Sequence, residues 1–334
     1  MAASFAILFN IFLLWIILRF TTKNFGFYKY ILLSFSAFEI LFAVVVLLGE
    51  PILFISQRTL ITFTYYGPIS QTPFAILGPT TYCFFYLLWL GFVVLHFLYR
   101  YVTVCRRELR DYIKDSASTQ LFLWLTSLLY IIWSFYCAYF ACTANEPHPE
   151  LLQRVRYHFG VDNDTTVANY VMRFTDINGR FALLSAISII AHYIIIVSSV
   201  IIVAFCSWSL WKAIRGVKKV GLNISLERQL FKSLLFQTIV PVIFSHVPSI
   251  IAMCFPLIDV DVNIFSFFSV FTTVPKALDP VILLLCIKCY RRGVAKLLYG
   301  PSRASEAIRA NRSNRGSTTV RNNNPEEPEP VVNN

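Results

Sequence analysis

From Thr59 to Tyr99 the chain runs without a single Lys, Arg, Asp or Glu, and then meets Arg100, Arg106 and Arg107 in close succession. An uncharged stretch of that length exceeds the roughly 20 residues needed to cross a hydrocarbon core of about 30 Å. Six further stretches qualify, so the candidate spans are Ala2 to Leu18, Tyr30 to Leu48, Ile76 to Tyr99, Leu121 to Ala141, Ala182 to Cys206, Leu234 to Phe255 and Asn263 to Ile287. Their apolar residues are continuous rather than alternating, and an open strand would leave its backbone unpaired in lipid. The expectation is therefore an all-α bundle of seven transmembrane helices. No inverted repeat of the transporter kind is present in the sequence.

Composition decides between this reading and a soluble one. With 57% hydrophobic and 14% charged residues, 334 residues carry more apolar surface than one soluble core hides. The net charge of +11 would suit a nucleic-acid partner if the basic residues shared one solvated face, but here they alternate with the apolar runs. No nucleic-acid partner is expected; the bilayer is. Of the 29 Lys and Arg, Lys276 lies within the last span. Arg58 falls in the second connection and Arg154, Arg156, Arg173 and Arg180 in the fourth. The remainder lie in the first, third and fifth connections and after the last span, so the positive-inside rule places the N-terminus outside and the C-terminus in the cytosol.

The first span has its positive charges after the apolar region, at Arg19 and Lys23, and reads as a retained helix rather than a cleaved signal peptide. Asn163-Asp164-Thr165 is a glycosylation acceptor in the longest outer connection, the alternative being an unmodified loop residue. Tyr290, Val294, Leu297 and Leu298 recur at helical spacing opposite Arg291, Arg292 and Lys296. That pattern predicts an amphipathic helix on the inner leaflet, ended by Gly300-Pro301. The receptor domain would cover 1–300. Residues 301–334, rich in Asn, Arg, Glu and Pro, are expected to be a disordered cytoplasmic tail with Ser and Thr sites for phosphorylation. The eight cysteines show no metal-ligand spacing and no disulfide framework. One bridge stays open: Cys83 lies about 25 Å above Arg100 on its helix, near the outer boundary where Cys142 also arrives. Buried free thiols are the alternative.

Charges inside the spans carry the most information, because each costs at least about 2.5 kcal/mol at a helix centre unless it faces protein or water. Glu39 lies in span two. Lys276 and Asp279 share a face of span seven at i, i+3, and the depths match to within a turn or two. A buried cluster of Glu39, Lys276 and Asp279 is expected, either as a conformational latch or as a structural charge group. His96, His192 and His246 stand singly on three spans and suit packing better than metal or proton chemistry. Pro241 and Pro248 in span six, and Pro275 and Pro280 in span seven, mark hinges or fixed bends.

Several stretches together resemble a known family. They are Gly26-Phe27-Tyr28-Lys29-Tyr30 with Phe38-Glu39-Ile40, then His96 to Tyr101, then Gln237-Thr238-Ile239-Val240-Pro241, and finally Pro275 to Pro280 with Tyr290-Arg291. The chain resembles rhodopsin-like G-protein-coupled receptors, and more closely the nematode serpentine chemoreceptors of the str type with their srj and srd relatives. The resemblance implies odorant or other small-molecule detection at a sensory cilium in the plasma membrane, coupling to a heterotrimeric G protein, and arrestin and kinase as partners of the tail. It implies that Tyr99-Arg100-Tyr101 holds the resting state and engages the G protein, with Asp279 and Pro280 as part of the switch. Two departures limit it. Tyr99 stands where the larger family has an acid, leaving Arg100 without its usual carboxylate, and the outer loop lacks the cysteine that the larger family bridges to helix three.

A ligand pocket is expected between the outer halves of spans three, five, six and seven. Tyr82, Tyr86, Phe268 and Phe271 would line it, and Thr80, His192, His246 and Thr272 would serve as polar anchors, a set that suits a small apolar ligand. Packing between helices is the alternative for each. A secondary transporter or channel also fits seven helices, but the charges form one cluster rather than a path. No convergent His, Asp or Glu group points to an enzyme, and no cofactor is expected.

Overall fold

The computed structural model describes residues 1–21, 25–56, 59–64, 68–70, 75, 77–143, 149–162, 168–173, 183–216, 224–255 and 268–300. Two apolar helices come first, α1 (Ala2–Phe20) and α2 (Tyr28–Gly49). A hairpin follows, β1 (Ile52–Ser56) and β2 (Thr59–Thr64), then the long α3 (Leu77–Cys105), the short polar α4 (Arg107–Asp115) and α5 (Ala117–Thr143). Next come α6 (Pro149–Phe159), β3 (Ala168–Arg173) and the 34-residue α7 (Leu183–Gly216). Span six is composite: α8 (Ile224–Pro241), a π turn over Val242–His246, and α9 (Val247–Cys254). The chain closes with α10 (Phe268–Cys286) and α11 (Lys288–Gly300), which leaves α10 at 92°.

Among the described residues, six helices are long and apolar enough to cross a bilayer, and α10 with its bent continuation makes the seventh. The expected spans therefore stand as helices, and most outrun their expected ends, spans five and six by the most. Span five extends past Cys206 to Gly216, and span six starts at Ile224 rather than Leu234. Nothing in water stops backbone hydrogen bonding at the bilayer edge, and the added segments are rich in Lys, Arg, Leu, Glu and Gln, which favour helix. At about 51 Å, α7 must project well beyond the hydrocarbon. The α5 helix shows Leu121, Phe122, Trp124, Leu129 and Trp133 on its exposed face, as a helix solvated by lipid would. It docks on α3 at Gly91, where an added Cβ would lie 2.5 Å from the Tyr130 ring, and the Tyr130 hydroxyl donates to the Leu87 carbonyl at 2.6 Å.

A three-stranded sheet, absent from the sequence expectations, lies at the end of the bundle opposite Arg100. The β1–β2 hairpin is antiparallel with Ile52 opposite Phe63, and β3 adds antiparallel to β2 with Thr59 opposite Arg173. Phe54, Ile61 and Phe63 of the hairpin and Val171 of β3 share a core with Leu151 and Val155 of α6, so the sheet is covered rather than left with a wet apolar face. It touches the ends of α3, α5, α7 and α10. Beneath it, Gly49 and Gly78 bring α2 and α3 into backbone contact, and Thr64 fills the space a side chain at Gly78 would need.

Among the described residues, two apolar clusters fill the bundle. The larger one joins α1, α2, α3, α7 and α8 around Phe42, Leu87, Trp89 and Phe97. The second, at the basic end, joins Leu13, Ile16, Tyr28, Leu32, Leu230, Leu283 and Tyr290. Tyr290 bonds Thr21 at 3.0 Å and stacks on Phe25, and Gly293 lies so close to the Phe20 ring that a Cβ would not fit. This docks the start of α11 on the end of α1, while Leu297 and Leu298 stay exposed beside Lys296, an arrangement suited to a membrane surface. Gly300 ends α11 in the left-handed region at φ +75. Both prolines of α10 lie inside a continuous helix; Pro241 introduces the π turn, and Pro248 sits in the first turn of α9. Residues 301–334, with the expected tail and its phosphorylation sites, lie outside the described residues.

Candidate functional site

At the basic end, Arg100 is 4% exposed although it closes an apolar helix. Its Nη2 donates to Glu227 Oε2 at 2.7 Å, and its guanidinium lies 4.7 Å from the centre of the Tyr28 ring. Tyr28 stacks on Tyr99 at 6.0 Å and meets His96 edge-on. The carboxylate that the sequence lacks beside Arg100 thus comes from α8, 127 positions along the chain. It binds α3 to the base of span six, and the aromatic ring supplies the rest of the cation's solvation. Two residues on, Gln229 Oε1 accepts the backbone N–H of Lys288 at 2.9 Å, so the same turn of α8 is also held by the start of α11. Tyr101 points elsewhere: its hydroxyl accepts from Arg106 at 3.2 Å, and its ring packs on Phe205.

Near mid-depth the structure brings Glu39, Lys276 and Asp279 into one buried group, each no more than 1% exposed. The arrangement differs from a simple ion triad. The carboxyls of Glu39 and Asp279 face one another, with the Asn10 side chain beside Glu39. The Lys276 ammonium turns away to donate to the Thr272 carbonyl and to lie over two rings, 4.0 Å from Phe42 and 4.4 Å from Trp89. Among the described residues, no Lys276–carboxylate distance reaches ion-pair range. Asn10 explains how span seven tolerates Pro280. A proline has no N–H to give the carbonyl four residues back, and that orphan, Lys276 O, accepts from Asn10 Nδ2 at 3.0 Å. Asn10, Trp89 and Glu227 were not picked out in the sequence, and Tyr28 figured there only within the Gly26–Tyr30 stretch. Asn10 had a signal, as a lone amide in an apolar run facing a Pro-containing helix.

The residues expected to line an outer pocket are distributed as follows. Tyr82 and Thr272 share a hydrogen bond at 2.8 Å, linking α3 to α10; Tyr86 and Ser249 share one at 2.7 Å, linking α3 to α9. Thr80 and His192 are buried, and Phe271 is at the exposed edge of α10. His246 closes the π turn, its Nδ1 donating to the Pro241 carbonyl at 3.1 Å and its ring packing on Trp89. A cavity of about 130 Å³ lies between α3, α7 and span six, and of the expected set only His246 lines it. The side chains of Phe268 and Cys142, and Asn163 altogether, lie outside the described residues, so the expected glycosylation and the Cys83–Cys142 bridge do as well. Among the described residues there is no His, Cys, Asp or Glu group able to hold a metal ion.

A charged partner for the helix-three arginine, a composite span six, a proline-bearing span seven and a membrane-surface helix now stand together. The family model described as serpentine type 7TM GPCR chemoreceptor Str matches residues 1–295. The chain belongs to the Str family of seven-transmembrane chemoreceptors. It is 26% identical over 297 residues to serpentine receptor class r-10 of Caenorhabditis elegans, with 86% of each chain covered. It is 27% identical over 284 residues to the r-10 receptor of Caenorhabditis briggsae, with 82% of each covered. G-protein coupled receptor str-33 of Caenorhabditis elegans matches at 22% over 321 residues, covering 88% of each. As a Str-family member the chain is a multi-pass membrane receptor of the G-protein-coupled class. Within that class, the Arg100–Glu227 contact stands where the Str bundle meets its basic face.

Proposed function

We propose that this chain is a chemosensory receptor of the plasma membrane, at the cilium of a sensory neuron, that binds a small odorant-like molecule within the bundle and activates a heterotrimeric G protein. In this reading the N-terminus and the sheet lie outside, the basic end faces the cytosol, and the described conformation is the resting one. The observation that carries it is the Arg100–Glu227 contact, which closes α8 over the face where a G protein would enter. Ligand binding favours a state in which α8 moves outward, and the ligand's preference for that state sets how far the equilibrium shifts. Tyr99, Arg100 and Tyr101 form the coupling surface, and Asp279 with Pro280 relays motion of span seven. The Glu39, Lys276 and Asp279 group acts as an inner latch whose charges are balanced in one helix arrangement and exposed in another. Arrestin and kinase act on the tail.

Cells co-expressing the chain with a Gα subunit and screened against small odorants and metabolites test this reading. The expected result is ligand-dependent nucleotide exchange that Arg100→Ala abolishes while surface delivery persists. Ligand-evoked currents without any G protein, or an undiminished response in Arg100→Ala, would overturn it.

A further inference from the structure

The 130 Å³ cavity is lined by Leu90 and Val93 of α3, by Ser199, Val200, Val203 and Ala204 of α7, and by Thr238, Val242 and His246 of span six. Leu90 and Val93 stand ten and seven residues above Arg100, which puts the cavity about 10–15 Å from the basic boundary, near mid-bilayer. An apolar protein cavity of about 150 Å³ accommodates benzene, so this one sets a limit close to that size. Its floor is buried, but Ala204 at its rim is exposed, within an apolar belt that includes the exposed Ile201, Phe205, Ile239 and Ile243. The rim therefore opens sideways between α7 and α8 onto lipid. The covered sheet stands over the opposite, watery end.

The polar groups in the wall narrow the ligand further. Ser199 Oγ donates to the Ile196 carbonyl at 2.7 Å, Thr238 Oγ1 to the Leu234 carbonyl at 2.9 Å, and His246 Nδ1 to the Pro241 carbonyl at 3.1 Å. A carbonyl can only accept, so each of these hydrogens is already committed to the wall's own backbone. What remains is acceptor capacity: the lone pairs of two hydroxyls and, in the neutral ring, of His246 Nε2. A ketone would bring a second acceptor to acceptors, whereas a hydroxyl would bring the missing proton.

We infer that this cavity is a ligand site reached from the bilayer between α7 and α8, taking a neutral molecule of about six or seven heavy atoms that carries one hydrogen-bond donor. The inference rests on the receptor reading for its consequence. The occupant touches Thr238, Val242 and His246 on the helix whose lower end holds Glu227, so filling the cavity acts on the element that closes the basic face.

The test uses the full chain in lipid nanodiscs with cyclohexanol, cyclohexanone and cyclohexane, compared at equal bilayer concentration. The readout is the shift in thermal unfolding midpoint. Cyclohexanol is expected to reach half its effect at a concentration at least tenfold below the other two. Ala204→Trp, which plugs the rim, should raise that concentration tenfold or more. Thr238→Val should remove most of the alcohol's advantage, and it carries the test if Ala204→Trp fails to fold. Ile251→Trp, on an exposed face of α9, should change nothing. Equal potency of the three probes, or an alcohol effect untouched in Thr238→Val and Ala204→Trp, overturns the inference. Basal nucleotide exchange by Glu227→Gln, measured without any probe, reports separately on the receptor reading.

Discussion

Replacing Glu227 by Gln keeps the side chain's size and leaves Arg100 with a neutral acceptor in place of a charged one. The pair is 4% and 15% exposed and 2.7 Å apart, so little water is available to compensate. A hydrogen bond to a charged group is worth about 1.5–3 kcal/mol; because the guanidinium stays charged, the bond to Gln keeps part of that value and loses the attraction between opposite charges. The Tyr28 ring still faces the guanidinium, so the closed arrangement loses roughly 1–2 kcal/mol. At about 1.4 kcal/mol per decade, an open state populated near 1% at rest rises to the order of 10%. Basal nucleotide exchange on a co-expressed Gα subunit, measured on membranes without ligand and normalised to surface receptor, should increase several-fold to tenfold. Glu227→Ala should go further, because it removes the hydrogen-bond acceptor altogether and leaves the guanidinium only the Tyr28 ring. Basal exchange at the wild-type level in both variants, with normal surface delivery, would show that the contact does not hold the resting state.

Other substitutions probe the packing. Asn10→Leu strands the Lys276 carbonyl that Pro280 cannot serve, and should cost about 1–3 kcal/mol, read as a lower unfolding midpoint of the purified chain. Gly91→Ala forces a methyl into the Tyr130 ring and should destabilise by about 1–3 kcal/mol, with Tyr130→Leu in the same background recovering part of the loss. Lys276→Met, by taking a cation from beside two buried carboxyls, should reduce surface expression. Glu39→Gln keeps a polar side chain of the same size beside Asp279 and Asn10 and should be tolerated, and the double variant should recover part of the Lys276→Met loss. An epitope placed after Asn334 should be labelled only after permeabilisation, and Asn163→Gln should remove a glycosidase-sensitive mobility shift; labelling of intact cells would reverse the proposed orientation.

The spans were legible because hydrocarbon imposes length and composition on every crossing segment, and α1, α2, α3 and α10 begin within a few residues of where the apolar runs do. The meeting of Glu39 with Lys276 and Asp279 was legible for a related reason, since ionisable groups within spans are few and their depths can be counted. Glu227 was not. It sits beside Arg228 in a polar segment that looks like any cytosolic loop, and its role depends on α8 continuing as a helix below the bilayer. The sheet was hidden because Thr59–Thr64 is buried on both faces and reads as an uninterrupted part of the uncharged run rather than as alternation. The π turn gives no pattern of its own, and the hydroxyl pairs Tyr82–Thr272 and Tyr86–Ser249 follow from helix rotation, which periodicity does not fix.

The doubled fastening of α8 has a mechanical meaning. Because Glu227 grips α3 while Gln229 grips the start of α11, outward travel of span six has to free the tail helix as well as the arginine. The membrane-lying helix is thereby a second handle on the same lever. In the proposed mechanism, whatever anchors it more firmly to the inner leaflet stiffens the off position, and whatever lifts it lightens the stroke.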